Sequence, residues 1–154
     1  MYNCSLLKFN ERKSLAKNEF GSLVPIESKG TIPFEIKRLY YIYNVDNNQI
    51  RGNHSHKKLH QVLICVHGSI DIRVENFYGE EVYKLSDPTV GLYIGPDNWR
   101  QMYNFSEDAV LLVIASEHYD EKDYIRDYDN FIKYSEEKYG GKYRGNTKKY
   151  GSKE

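Results

Sequence analysis

Short apolar or alternating segments, each bounded by turn residues, recur through the first three quarters of the chain: 6–9, 23–26, 35–43, 61–66, 69–75, 81–85, 90–94 and 109–115. Strands at that even spacing predict an all-β sandwich or barrel. Val62 to Val66 and Val110 to Ile114 are almost wholly apolar, which predicts strands covered on both faces. Ser69 to Glu75 alternates and predicts one wet face. His67-Gly68 and Tyr78-Gly79 punctuate hairpin turns, while Pro88, Gly95-Pro96 and Asp97-Asn98 open loops. From Glu117 the texture becomes charged and tyrosine-rich, and the spacing of Tyr128, Phe131, Ile132 and Tyr134 predicts a short helix that closes the domain. The segment after Gly140 is Gly, Lys and Tyr without periodicity, too polar to offset the entropy of ordering unless it docks. One domain over 1–139 and a flexible polar tail over 140–154 is the expected organisation.

Composition narrows the function more than the fold. At 154 residues the chain is long enough to bury a core without disulfides or metal staples. Basic and acidic residues both number 22, so nothing points to nucleic acid or another polyanion as partner. Cys4 stands near the terminus and Cys65 lies in an apolar run, which fits buried thiols in a reducing compartment. No basic-then-apolar leader opens the chain and no run of about 18 apolar residues occurs, so a cytoplasmic protein with no membrane partner is expected. Fifteen tyrosines supply flat area with polar tips, suited to sugar or nucleotide ligands and to subunit interfaces alike.

The candidate chemistry concentrates in Arg51-Gly52-Asn53-His54-Ser55-His56. At strand spacing both imidazoles project from one face, and histidine titrates nearest neutrality, so the pair suits either a metal or proton transfer. The metal reading follows the cupin pattern G-x5-H-x-H-x(3,4)-E-x6-G, which the chain resembles in part. His54-Ser55-His56 and Gly68 are present, but His60 or Gln61 stands where the carboxylate belongs, and Arg100 replaces the later histidine. An arginine has no lone pair to donate and repels a cation. His54, His56 and His60 with a water form the residual metal set. His67, in a turn, and His118, beside the charged stretch, read as surface residues.

Four blocks taken together resemble the dTDP-sugar 3,4-ketoisomerases. They are Arg38 to Ile42, Arg51 to Cys65, Gly91 to Ile94 with Trp99-Arg100, and Tyr119 to Tyr128. The resemblance runs from about Leu6 to Phe131. It implies a cupin-type jelly roll, a homodimer formed partly by exchange of β-strands, dTDP-4-keto-6-deoxy-D-glucose as substrate, and no metal or other cofactor. It further implies His54 as the base that moves a proton between C3 and C4, His56 as its assistant or relay, and Tyr40 as the phenol exchanging protons with the ring oxygens. Arg100 is suited to stabilise an enolate oxygen. Arg38, Arg51 and Lys58 are candidates for the diphosphate, because cations match phosphate oxygens; Lys57 reads as a solvated charge. Tyr41 and Tyr43 alternate away from Tyr40 and are expected to pack.

Phe20 and Arg100 lie where branches of that family differ. Trp99-Arg100 resembles the branch giving the gluco-configured 3-keto sugar, precursor of 3-amino-3,6-dideoxyglucose, with surface-layer glycans or O-antigens as its destination; Phe20 lacks the polar tip of either branch. The alternatives are a dTDP-sugar 3,5-epimerase and a non-catalytic jelly-roll sugar-binding module. The tandem His-x-His and the Tyr-Asp-Glu block argue against the epimerase.

Overall fold

The computed structural model describes residues 2–13 and 20–145. In chain order the strands are β1 (Cys4–Lys8), β2 (Arg12–Lys13), β3 (Ser22–Leu23), β4 (Arg38–Ile42), β5 (Arg51–His56) and β6 (Gln61–His67). There follow β7 (Ile70–Asn76), β8 (Gly79–Leu85), β9 (Val90–Ile94), β10 (Trp99–Tyr103), β11 (Val110–Ala115) and β12 (Tyr124–Ile125), and the helix α1 (Tyr128–Tyr139) comes last. Two five-stranded sheets, ordered β1-β9-β6-β11-β4 and β12-β5-β10-β7-β8, carry the domain, and β2 pairs with β3 apart from them. All pairings are antiparallel. This is the cupin-type jelly roll with a short C-terminal helix.

The inner faces of both sheets meet in one core. Leu63, Cys65, Leu92, Ile94, Leu111 and Val113 come from the first sheet, and Ile70, Ile72, Val74, Leu85 and Met102 from the second. Alternation along each strand sends these inward, and burying each such side chain contributes about 1.5–3 kcal/mol. A second cluster, with Phe9, Ile32, Val62, Ile64 and Ile114 at its centre, covers the outer face of the first sheet; Val24, Ile26, Phe34 and Ile36 pack on it. The expected strand over 23–26 is therefore a strand only at Ser22–Leu23. Beyond it the chain spends its apolar residues as a cover.

Three further expectations need correction. The turn at His67-Gly68 is no hairpin, because β6 and β7 belong to different sheets; Phe77-Tyr78 does close one, since Asn76 pairs with Gly79. β7 has no open wet face: Arg73, Glu75 and Asn76 are all buried. The cause is α1, whose Phe131 packs with Phe77, Trp99, Ile125 and Tyr143 on the outside of the second sheet. α1 starts where the Asp127 side chain accepts from Asn130 N at 2.8 Å and ends at Gly140, whose φ of 66° suits a residue without Cβ. The third correction concerns the tail. Tyr143 is buried, its hydroxyl donates to Glu75 Oε1 at 2.7 Å, and Arg144 N donates to Phe77 O, so the chain is docked through Gly145 rather than loose from Gly140. The rest of the expected tail, 146–154, lies outside the described residues.

Tyr41 and Tyr43, expected to pack, are 62% and 58% exposed and lie against each other with ring centroids 5.9 Å apart. No helix among the described residues is long and apolar enough to cross a membrane. Both cysteines are free and buried.

Candidate active site

The site opens at one end of the sandwich, where β4 and β6 face β5 and β10. Its position depends on a bulge. Arg100 pairs with His54 but Gln101 pairs with Gly52, so Asn53 is an extra residue in β5. Gly52 has φ 92°, and a Cβ there would meet Arg100 O at 2.8 Å, so only glycine fits. Arg51 and His54, three apart, would face opposite sides of a regular strand. The bulge sets them opposite Met102 and Arg100, which share the inner face, and both line one cavity.

Both imidazoles are oriented by their Nδ1 atoms. His54 Nδ1 donates to Gly52 O at 3.0 Å, and His56 Nδ1 donates to Asp123 Oδ2 at 3.2 Å. Each ring therefore keeps its lone pair on Nε2, and that of His56 is buried without a partner. The rings stand 4.8 Å apart, edge to face, under Tyr124 at 5.1 and 4.2 Å. Burial and then the Arg100 guanidinium push the His54 pKa down to about 3. The same two causes lower His56, with His54, Arg38 and Arg126 adding to them, and they outweigh the carboxylate of Asp123 bonded to its ring. At neutral pH both are uncharged bases.

Arg100 is 1% exposed. Its Nη1 donates to Gln61 Oε1 at 3.2 Å, while Nε and Nη2 have no partner. Burial lowers its pKa to about 10, which leaves it charged. Gln61 Nε2 in turn donates to the Tyr40 hydroxyl at 3.1 Å, and burial raises the Tyr40 pKa. Arg38 lies 5.4 Å above the Tyr40 ring and 5.7 Å above Tyr119.

These residues divide between two adjoining cavities. One, of about 380 Å³, is lined by Arg38, Tyr40, Arg51, His54, Tyr124 and Arg126 among others. The other, of about 310 Å³, is lined by Arg38, His56, Lys58, His118, Asp123 and Tyr124 among others. Their common wall includes Tyr119 and Tyr124, and Arg126 lies 4.1 Å above the Tyr124 ring, held by a two-point ion pair to Glu121. So Tyr40, Arg51 and His54 line the first cavity, His56 and Lys58 the second, and Arg38 both, while Arg100 lies buried behind them, bonded to Gln61. Phe20 is 97% exposed and lines neither.

His60 does not join the pair: its Nδ1 is bonded to the Tyr93 hydroxyl at 2.7 Å. Among the described residues no group of three His, Cys, Asp or Glu is placed to hold a metal ion. Arg100 and Gln61 occupy the places where further ligands would stand, and a guanidinium repels a cation, so this lining does not fit a metal centre. Sequence reasoning missed Asp123, Tyr124, Arg126 and the working of Gln61. Asp123 anchors more than His56, since it also accepts from Lys58 N and Leu59 N. The Tyr119–Tyr128 block contained three of these residues, but only the fold carries it to β5, through the β12 pairs Tyr124↔His56 and Ile125↔Ser55.

Two uncharged imidazoles, a phenol and a buried guanidinium form a set of bases and donors suited to proton transfer, and the fold comparisons place this jelly roll among sugar isomerases. The family comparisons agree and are more specific. The FdtA family model, described as WxcM-like, C-terminal, matches residues 2–136. A TDP-4-oxo-6-deoxy-alpha-D-glucose-3,4-oxoisomerase from Aneurinibacillus thermoaerophilus is 51% identical over 114 residues, 74% of this chain and 82% of the relative. A histidine-to-asparagine variant of the 3,4-ketoisomerase QdtA from Thermoanaerobacterium thermosaccharolyticum, solved with TDP-4-keto-6-deoxyglucose, is 51% identical. It superposes with a TM-score of 0.85 over 92% of this chain and 99% of that one. The TDP-quinovose 3,4-ketoisomerase WlaRB from Campylobacter jejuni is 45% identical, with a TM-score of 0.80 over 86% and 99% of the two chains. The chain belongs to the FdtA family of TDP-sugar 3,4-ketoisomerases, and it is an isomerase.

Proposed function

We propose that the protein converts dTDP-4-keto-6-deoxy-D-glucose to a dTDP-3-keto-6-deoxy-hexose, with His54 as base. The observation that carries this reading is the uncharged His54–His56 pair, its Nδ1 atoms bonded, beside the unpaired N–H groups of Arg100. The C4 ketone acidifies the hydrogen on C3. His54 Nε2 removes it as O4 gains a proton from Tyr40, giving an enediol; the His54 imidazolium then gives a proton to C4 as the O3 hydroxyl proton passes to the Tyr40 phenolate, and the ketone stands at C3 with both residues restored. No electron acceptor is needed, because one carbon is oxidised as its neighbour is reduced. Arg100 stabilises negative charge on the oxygens, an effect worth about 10²–10³ in rate. His56, oriented by Asp123, relays protons. Arg38 and Arg51 take the diphosphate, with Lys58 reaching it from the adjoining cavity that Arg38 also lines.

The gluco product, on the way to 3-amino-3,6-dideoxyglucose, is our reading of Trp99-Arg100, and the identity to a TDP-quinovose 3,4-ketoisomerase supports it. A surface-layer glycan or O-antigen is the proposed destination. A homodimer with strand exchange is supported by the outer edge of the first sheet: among the described residues β4 has no second neighbour, and Leu39, Tyr41 and Tyr43 are exposed beside it. One catalytic domain that takes in the docked residues up to Gly145 and a cytoplasmic location, which the two free thiols favour, complete the proposal.

The test is incubation with dTDP-4-keto-6-deoxyglucose in deuterated water, followed by NMR. Deuterium at C4 with the ketone at C3 is expected. Exchange at C3 and C5 with inversion would indicate the 3,5-epimerase instead, and no exchange at all would leave a binding module.

A further inference from the structure

Gln61 is buried between Arg100 and Tyr40, at 3.2 Å from one and 3.1 Å from the other. A guanidinium can only donate, so the amide oxygen must face Arg100 and the amide N–H₂ must face Tyr40. That orientation has a chemical consequence. Because the Tyr40 oxygen receives a hydrogen bond from Gln61, its own O–H is turned away from the protein network and toward the cavity that His54 lines. We infer that Gln61 is the positioning residue that makes Tyr40 a proton donor toward the sugar, by fixing the direction of the chain Arg100 to Gln61 to Tyr40 to substrate oxygen. The inference rests on the ketoisomerase reading above and adds to it the residue that sets which partner gives a proton.

A carboxylate in the same place reverses the direction. The group introduced by Gln61→Glu has the same size and reaches the same two partners, yet accepts from both: the Tyr40 proton turns inward, and the Arg100 charge is neutralised by an ion pair. A methionine keeps the volume and removes the hydrogen bonds without reversing anything. If Gln61 merely holds its neighbours together, Gln61→Glu, which keeps both contacts, should be the milder change. If it sets polarity, Gln61→Glu should be the more damaging.

The experiment measures kcat and KM for Gln61→Glu and Gln61→Met on dTDP-4-keto-6-deoxyglucose, across pH. Expected are a fall in kcat of about a hundredfold or more for Gln61→Glu, a smaller fall for Gln61→Met, and little change in KM for either. Protonation of the introduced carboxyl restores an acceptor toward Arg100 and a donor toward Tyr40, so the gap between Gln61→Glu and wild type should narrow as pH falls. A Gln61→Glu variant at least as active as Gln61→Met, or a gap independent of pH, overturns the inference. Should Gln61→Glu fail to fold, the cycle of Gln61→Met with Tyr40→Phe decides. Gln61→Met should then cost much less kcat in the Tyr40→Phe background than in wild type, and an equal cost overturns the inference. Inactivity of the wild-type protein on this substrate would instead overturn the ketoisomerase reading itself.

Discussion

Two buried polar clusters lie on opposite faces of the second sheet, and they differ in what they leave unpaired. On the outer face Glu75, fully buried, receives Arg73 at 2.5 Å, Tyr143 at 2.7 Å and the Tyr128 hydroxyl. Nearby Asp97 receives Tyr134, Lys138 and Tyr139 at 2.5 to 2.8 Å. Among the described residues the charged side-chain atoms of Arg73, Glu75 and Asp97 all have partners, and the unpaired buried groups on this side are the hydroxyls of Ser55 and Ser135. On the inner face His56 Nε2 and Arg100 Nε and Nη2 are buried and unbonded, as is Arg38 Nε from the facing sheet. An unpaired buried polar group costs about 1–3 kcal/mol, so the inner cluster destabilises the fold while the outer one fastens α1 and the chain after it.

That contrast can be broken from either side. His54→Asn should lower kcat by about 10³ to 10⁴ while leaving the melting temperature nearly unchanged, by NMR assay and thermal unfolding; a parallel collapse of stability would erase the division of labour. Arg100→Met should lower kcat by about 10²–10³. Because it removes a buried cation with idle donors, its melting temperature should equal or exceed that of wild type. On the outer face the signs reverse: Glu75→Gln should lose about 2 kcal/mol in denaturant unfolding and keep kcat at low temperature. Tyr143→Phe should lose about 1 kcal/mol in the same assay.

A further effect is one of pH. The folded pKa of His54 is held down to about 3, from 6.5, and that of His56 is lowered too, so below 6.5 the unfolded chain binds more protons than the folded one. Stability is therefore full above about pH 6.5 and declines as pH falls from there toward about 3. Denaturant unfolding at descending pH should show that slope, and His56→Gln should flatten it. The acid limb of kcat/KM should likewise lie well below the usual histidine value.

How much of this was legible in the sequence depended on range. Val90 to Ile94 was read to the residue, and 61–66, 69–75 and 109–115 to within one or two positions, because period-two alternation is a local signal. β10 escaped, since Trp99-Arg100-Gln101-Met102-Tyr103 carries a charged residue on its inner face, at Arg100. β7 misled for the matching reason. Its Arg73 and Glu75 look wet in one dimension and become buried only when α1 and Tyr143 arrive. Of the candidate site, the histidine pair, Tyr40 and Arg100 were singled out by motif and resemblance, whereas Asp123 lies 67 residues from its partner His56. Gln61 was noticed for the carboxylate it lacks; its hydrogen bonds to Arg100 and Tyr40 join three strands.

The sequence by itself determined that this is a β domain of the ketoisomerase kind with two histidines on one strand face, because alternation and motif spacing are written between near neighbours. Only the tertiary structure decided that those histidines are uncharged, that Arg100 stands buried with free donors, and that Gln61 gives the network its direction. Charge state and hydrogen-bond direction follow from burial and from partners brought together across strands, and neither is a property of any short stretch of chain.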